Sequence, residues 1–118
     1  MSADTSMKSF GRALSTEEKK ELSPIDFDFY GTVFKAKPMI SGKVILDSRQ
    51  RLAKAENNNT LAILSEIVLD YLSNAFVDKK ESARFMKFVA DTEEVAEDDL
   101  YALYQYLVSE QSNRPTDK

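Results

Sequence analysis

The sequence predicts a mainly α-helical domain in which an N-terminal β-hairpin packs on a compact bundle of about four helices, with flexible termini. The 118 residues suit a single domain. Only 3 Gly and 3 Pro are present, which disfavours a turn-rich all-β fold. Apolar residues recur at steps of three and four through the second half, whereas strict alternation is confined to one short stretch.

The first 22 residues are predicted to be a flexible arm. They are mostly polar, and after Met1 their large apolar side chains before Leu14 are Met7 and Phe10. Ser15 followed by Glu18 matches a capping box, which predicts a short helix from there to Leu22. Because so short a helix is marginal alone, we expect it to need docking onto the domain.

A β-hairpin is predicted over residues 25–36. Apolar and polar residues alternate on both sides of Gly31, and the apolar positions before it are Ile25, Phe27 and Phe29. Such a hairpin is not stable alone in water, so its aromatic face must pack on helices. Asp26 and Asp28 then form its solvent face, and acid–base chemistry by this pair is the less favoured alternative.

Helical signals fill the remainder of the chain. Ser41 begins a helix over 42–55, a loop follows over 56–59, and Thr60 precedes an amphipathic helix that reaches Ala75. A capping pattern at Asp78 begins the next helix. The acidic residues 91–99 include a connection, and their charge also favours the positive N-terminus of the helix that follows. The last helix presents Leu100, Leu103, Tyr104, Leu107 and Val108 on one face, and the chain is polar from Gln111 onward. The predicted divisions are an arm over 1–22, a helical domain over 23–112 and a tail over 113–118.

The composition excludes most enzyme chemistries. With no His and no Cys, a Ser-His-Asp triad, a thiol nucleophile and a thiolate metal site are all ruled out. No glycine-rich phosphate loop is present, and the acidic stretch 91–99 lacks the ligand spacing and central Gly of an EF-hand. We therefore expect no catalytic residue, no cofactor and no metal site.

Charge is distributed unevenly along the chain. Residues 1–54 carry 10 basic and 7 acidic groups, hence +3, while residues 55–118 carry 6 and 13, hence −7. Opposite faces of this kind favour pairing with proteins, including copies of the same chain. The net charge of −4 argues against nucleic-acid binding, although a basic stretch over 35–54 leaves it open as an alternative. The basic residues of that stretch are Lys35, Lys37, Lys43, Arg49, Arg51 and Lys54.

Neither a signal peptide nor a membrane span is predicted. Residues 1–12 lack an apolar core, and no apolar run approaches the roughly 20 residues that a span requires. We therefore expect a cytoplasmic protein with no membrane partner.

Aromatic residues in the last two helices are the candidates for partner binding. Tyr is common at interfaces because it combines apolar area with a polar tip, and three Tyr residues within six positions occupy more than one helix face. Core packing of each residue singly is the alternative. The candidates are Phe85, Phe88, Tyr101, Tyr104 and Tyr106.

The order of motifs resembles the tail assembly chaperone family of long-tailed bacteriophages over about residues 25–116. An aromatic hairpin leads to a helix that begins at a Ser-Gly-Lys sequence, and a Leu-rich helix follows. Asn113 departs from the pattern, since Gly is usual there. The motifs that carry the resemblance are Ser41-Gly42-Lys43, Arg84-Phe85-Met86, Asp99-Leu100 and Asn113-Arg114-Pro115-Thr116.

The resemblance implies a specific role. Such chaperones bind the tape measure protein, keep this long helical chain soluble in the host cytoplasm, and leave before the virion is mature. A longer form, made by ribosomal frameshifting, is thought to recruit the tail tube protein. The alternative function is a small helical regulatory adaptor that binds a host or phage protein.

Overall fold

In the computed structural model, which describes residues 7–57 and 61–113, five helices accompany one antiparallel hairpin. The predicted fold class is confirmed. Residues 1–6, the cap at Thr60 and most of the tail lie outside the described residues. In chain order the elements are α1 (Thr16–Glu21), β1 (Ile25–Phe29), β2 (Thr32–Ala36), α2 (Gly42–Asn57), α3 (Leu61–Asn74), α4 (Lys79–Asp91) and α5 (Glu97–Gln111).

The first helix begins at the predicted capping box. The Glu18 N–H donates to Ser15 Oγ at 3.1 Å, and the Ser15 N–H donates to Glu18 Oε1 at 2.9 Å. These two bonds satisfy backbone donors that a helix start leaves open. All six residues of α1 are exposed or half-buried. The helix ends at Glu21, one residue earlier than predicted.

The hairpin turns through two residues in the left-handed conformation. Tyr30 has φ 54° and Gly31 has φ 85°, which is the type I′ geometry that matches the twist of the strands. The Gly31 N–H donates to Asp28 Oδ1 at 2.7 Å. Phe29 lies opposite Thr32, and Ile25 lies opposite Ala36 at the far end. The predicted hairpin boundaries are therefore confirmed.

A short segment after α3 covers the outer edge of β2. The Lys37 N–H donates to the Ala75 carbonyl at 2.8 Å, and the Val77 N–H donates to the Lys35 carbonyl at 3.2 Å. Glu81 accepts from the Lys35 N–H at 2.8 Å, and Arg84 donates to the Val33 carbonyl at 2.7 Å. These bonds give partners to the Val33 carbonyl and to both backbone groups of Lys35, which face away from β1.

An aromatic cluster joins the hairpin to the helices. Phe85, on α4, is fully buried, and its ring centroid lies 5.1 Å from Phe34 and 4.8 Å from Phe76. Phe27 and Phe29 complete the cluster at 6.4 Å and 5.4 Å from Phe85. The expectation that the aromatic face packs on helices is confirmed, because α4 and the segment after α3 supply the opposing rings.

Two predicted boundaries are corrected. Helix α2 continues to Asn57, so the loop predicted to begin at Glu56 starts later. Helix α5 begins at Glu97, inside the acidic stretch, in agreement with the expectation that acidic residues favour the positive N-terminus of the last helix. The polar run at the C-terminus does not begin at Gln111, since this residue ends α5 and is fully buried.

Gln111 holds three parts of the chain together. Its Nε2 donates to the Lys37 carbonyl at 3.0 Å and to the Ala75 carbonyl at 2.9 Å. Its Oε1 accepts from the Tyr71 hydroxyl at 2.8 Å. Its backbone carbonyl also accepts from the Ile40 N–H at 3.1 Å. A buried amide is tolerated here because its donors and its acceptor are bonded.

Candidate partner-binding groove

Helix α5 places its tyrosines on different faces. The buried residues of α5 recur at steps of three and four, so they form one stripe against the rest of the domain. Tyr106 lies beside this stripe and is 45% exposed. Asp99, Ala102 and Tyr106 are three or four residues apart, so they lie on successive turns along the same side of the helix. The members of the stripe are Leu103, Tyr104, Leu107, Val108 and Gln111.

A groove of about 540 Å³ opens between β1 and this flank of α5. We call it the hairpin groove. Half-buried Phe27 lies in its lining, and two exposed tyrosines, Tyr30 and Tyr106, border it. Aromatic rings in a concave site offer apolar area together with hydroxyl groups, which suits binding of a protein side chain. Its lining residues are Phe27, Asp28, Phe29, Tyr30, Asp99, Ala102, Leu103 and Tyr106.

Tyr30 joins the hairpin turn to the start of α5. Its hydroxyl donates to Asp99 and accepts from the Ala96 N–H at 2.9 Å. Ala96 is the N-cap of α5 and has no side-chain cap of its own, while Asp99 is the third helical residue. In a capping box the side chain of the third helical residue, here Asp99, would accept directly from the backbone N–H of the N-cap residue, here Ala96. In this protein the Tyr30 hydroxyl lies between the two groups and bonds to both.

The Asp99 carboxylate perturbs the titration of Tyr30. The hydrogen bond to Asp99 raises the pKa of the Tyr30 hydroxyl, because it favours the protonated phenol over a phenolate beside a negative charge. The raised pKa widens the alkaline pH range over which the hydroxyl stays protonated and can donate to Asp99.

The groove is acidic as well as aromatic. Asp28 and Asp99 lie in its lining, and Glu97 and Asp98 occupy exposed positions in the same helical turn as Asp99. A partner side chain that enters here meets apolar rings flanked by carboxylates. Charge complementarity therefore favours a partner segment that carries basic residues next to an apolar anchor.

The five aromatic residues predicted for partner binding do not form one surface. Phe85 is fully buried and Tyr104 is 2% exposed, so the assignment of these two to an exposed surface is wrong. The Tyr104 hydroxyl is hydrogen-bonded to Ser48 Oγ at 2.5 Å inside the domain. Phe88 and Tyr101 are half-buried against the core. Tyr106 alone among the five lies in the hairpin groove.

Of the eight lining residues of the groove, Tyr106 alone was predicted to bind a protein partner. Tyr30 occupies a polar position of the predicted alternating strand, and base stacking was considered for it only under the nucleic-acid alternative. Asp28 was assigned to the solvent face of the hairpin, and Asp99 to the acidic stretch. The position of Tyr30 before Gly31 is a signal for a two-residue turn, which exposes the side chain at the hairpin tip. The proximity of that tip to α5 is a tertiary contact across 69 residues, and periodicity does not reveal it.

A second groove, of about 760 Å³, lies between α2, α3 and the segment that precedes α2. Three members of the basic stretch, Lys37, Lys43 and Arg51, are in its lining. Arg51 pairs with Asp70 at 3.1 Å, so part of this charge is neutralised between the two helices. Eight of its thirteen lining residues are polar or charged, and its one tyrosine, Tyr71, is buried. We therefore regard the smaller, aromatic hairpin groove as the better protein-binding site.

Comparison with protein-family models, with curated proteins and with solved structures gives no match. Within residues 7–57 and 61–113, no helix is long and apolar enough to cross a membrane. The same residues contain no group of three or more acidic side chains arranged to hold a metal ion.

Proposed function

We propose that this protein is a tail assembly chaperone that binds the tape measure protein, keeps it soluble and assists assembly of the tail tube, without catalysing a reaction. The order of sequence motifs supports the family. The observation that carries a binding role is the hairpin groove, in which Tyr106 is 45% exposed and Tyr30 is 41% exposed. Two partly exposed tyrosines around a concave apolar lining are typical of an interface.

The groove suits an apolar anchor from an amphipathic helix. A client helix presents apolar residues at steps of three and four, and one such side chain would contact Phe27 between the two tyrosines. Basic residues of the client beside that anchor would meet Asp28 and Asp99. Binding requires no energy source, because the client is released when a competing partner binds it more tightly.

The remainder of the role follows from the family. The chaperone acts in the host cytoplasm and is absent from the mature virion. A longer, frameshifted form recruits the tail tube protein, so that tube subunits replace the chaperone along the tape measure.

Co-expression with the tape measure protein tests this proposal. The chaperone should raise the soluble fraction of the tape measure protein and co-purify with it. Tyr106→Ser should abolish most of this gain without unfolding the domain, because the Tyr106 side chain is partly exposed. Leu69→Ser is the matched control, since Leu69 is also 45% exposed but lies outside the groove, on α3.

The outcomes separate the alternatives. A gain in solubility that both variants retain would contradict the groove as the client site. No gain from the folded wild type, alone or with the frameshifted form, would contradict the chaperone role and leave the regulatory adaptor as the better explanation.

A further inference from the structure

The hairpin has one covered edge and one open edge. The outward backbone groups of β2 belong to Val33 and Lys35, and both residues are bonded to the helical region. Their partners across the hairpin are Asp28 and Asp26, whose backbone groups therefore face outward from β1. Among the described residues, no backbone hydrogen bond reaches these outward groups of Asp26 and Asp28. An open strand edge is a template for pairing with another extended chain.

The N-terminal arm carries the most exposed large apolar side chains among the described residues. Phe10 is 84% exposed and Met7 is 71% exposed. Lys8 and Arg12 accompany them, so residues 7–12 have a charge of +2 and no acidic group. In an extended chain Lys8 and Phe10 lie on one face, because successive side chains alternate. Gly11, with φ 75°, interrupts the extended backbone before Arg12.

The arm and the hairpin groove are chemically complementary. The groove contributes two carboxylates, from Asp28 and Asp99, which oppose the charge of Lys8, while the charge of Arg12 is paired with Glu18. Its aromatic lining matches the Phe10 ring, and aromatic pairs favour offset or edge-to-face contact. The open edge of β1 lies next to the groove, since Asp28 belongs to both.

We propose that residues 7–12 of one copy bind the hairpin groove of a second copy, with Phe10 between Tyr30 and Tyr106 and the arm backbone paired to the open edge of β1. The base of the arm favours binding between copies. Arg12 pairs with Glu18 at 2.8 Å, so the arm is joined to α1, all of whose residues are exposed or half-buried. The arm of each copy is thereby presented outward, away from its own core.

The arm would occupy the same groove that we assign to the client. Self-association therefore protects the aromatic side chains of the groove until a client displaces the arm, and in this respect the inference rests on the proposed function. The association itself requires no client, so its test is independent of the tape measure protein.

Sedimentation of the full-length chain over a range of concentrations tests the proposal. The wild type should form dimers or larger assemblies that dissociate as salt rises from about 0.15 M to about 1 M, since screening weakens the charge pairing. Phe10→Ser and Tyr106→Ser should each weaken association by at least about 10-fold, as expected for a central aromatic anchor. Leu46→Ser is the control, because Leu46 is 68% exposed and lies on α2, away from arm and groove.

Mixing the two variants provides a stricter test. The Phe10→Ser chain keeps an intact groove and the Tyr106→Ser chain keeps an intact arm, so their mixture should form heterodimers that neither forms alone. A wild type that stays monomeric, association that survives Phe10→Ser, or a mixture that fails to associate would each overturn the proposal. A monomer in which the arm protects its own Tyr106 would also overturn it, because binding would then be within one chain.

Discussion

Replacement of Gln111 by Leu should destabilise the domain strongly although the change conserves size and adds apolar surface. Gln111 is fully buried, and its side chain bonds the Lys37 and Ala75 carbonyls and accepts from the Tyr71 hydroxyl. The substitution removes all three hydrogen bonds. The Ala75 carbonyl keeps the bond from the Lys37 N–H, whereas the Lys37 carbonyl loses the amide donor.

The expected loss follows from the number of bonds removed. At about 1 kcal/mol for each hydrogen bond, the free energy of unfolding should fall by about 3 kcal/mol. That is a large fraction of the roughly 5–15 kcal/mol by which a domain is stable. Urea denaturation followed by far-ultraviolet circular dichroism should show a midpoint lower by roughly 1–3 M, with an unchanged slope. Tyr71→Phe removes one of the three hydrogen bonds and should lower the free energy of unfolding by about 1 kcal/mol.

Gln105→Leu is the matched control, because Gln105 lies on the same helix and is exposed. It should change the free energy of unfolding by less than about 0.5 kcal/mol. If Gln111→Leu changed the free energy of unfolding as little as Gln105→Leu, the hydrogen bonds of the Gln111 amide would contribute nothing to stability beyond the packing of the side chain. The argument that Gln111 joins α3, α5 and the segment before α2 would then be refuted.

Two further substitutions test the core and the cover of the hairpin. Phe85→Ala should lower the free energy of unfolding, measured by urea denaturation, by about 3–5 kcal/mol, because it leaves a cavity among the rings of Phe34 and Phe76. A decrease below about 1 kcal/mol would contradict the place of Phe85 in the core. Glu81 has a pKa held below its usual value by hydrogen bonds, first from Arg84 and then from the Lys35 N–H. Since its folded pKa is depressed, its contribution to stability is present above about pH 4.5 and is lost as the pH falls through the lowered value. Glu81→Gln should therefore reduce the difference in denaturation midpoint between pH 7 and pH 3, and an unchanged difference would contradict this assignment.

Periodicity and turn chemistry were sufficient to predict the order of elements. The alternation around Gly31 located the hairpin. The pairs Ser15–Glu18 and Asp78–Glu81 marked the starts of two helices. In each pair the side chain of the N-cap residue, Ser15 or Asp78, accepts a hydrogen bond from the backbone N–H of the glutamate. Each of these signals depends on residues close together in the chain, so it can be recognised without knowledge of the tertiary contacts. The local pattern did not decide where the connection ends and α5 begins, because acidic residues suit both a polar connection and a helical first turn.

The candidate site was harder to predict because it is made by tertiary contacts. The sequence placed Tyr104 on the apolar face of α5 and the other two tyrosines on other faces, but it did not separate half-buried Tyr101 from Tyr106, which is 45% exposed. Helical period alone does not decide how wide the buried stripe of a helix is. Gln111 was assigned to the polar tail because its residue type is usually exposed, and its burial depends on carbonyl groups from two distant segments.

The contacts of the hairpin also determine when the chain can fold during synthesis. The hairpin ends at Ala36, but the rings that cover its aromatic face belong to Phe76 and Phe85. The amide that the Tyr30 hydroxyl binds comes later still, at Ala96. A ribosome that makes the chain from its N-terminus therefore releases the hairpin well before its covering helices. The aromatic face stays open to solvent, or to other proteins, until α4 and α5 have emerged.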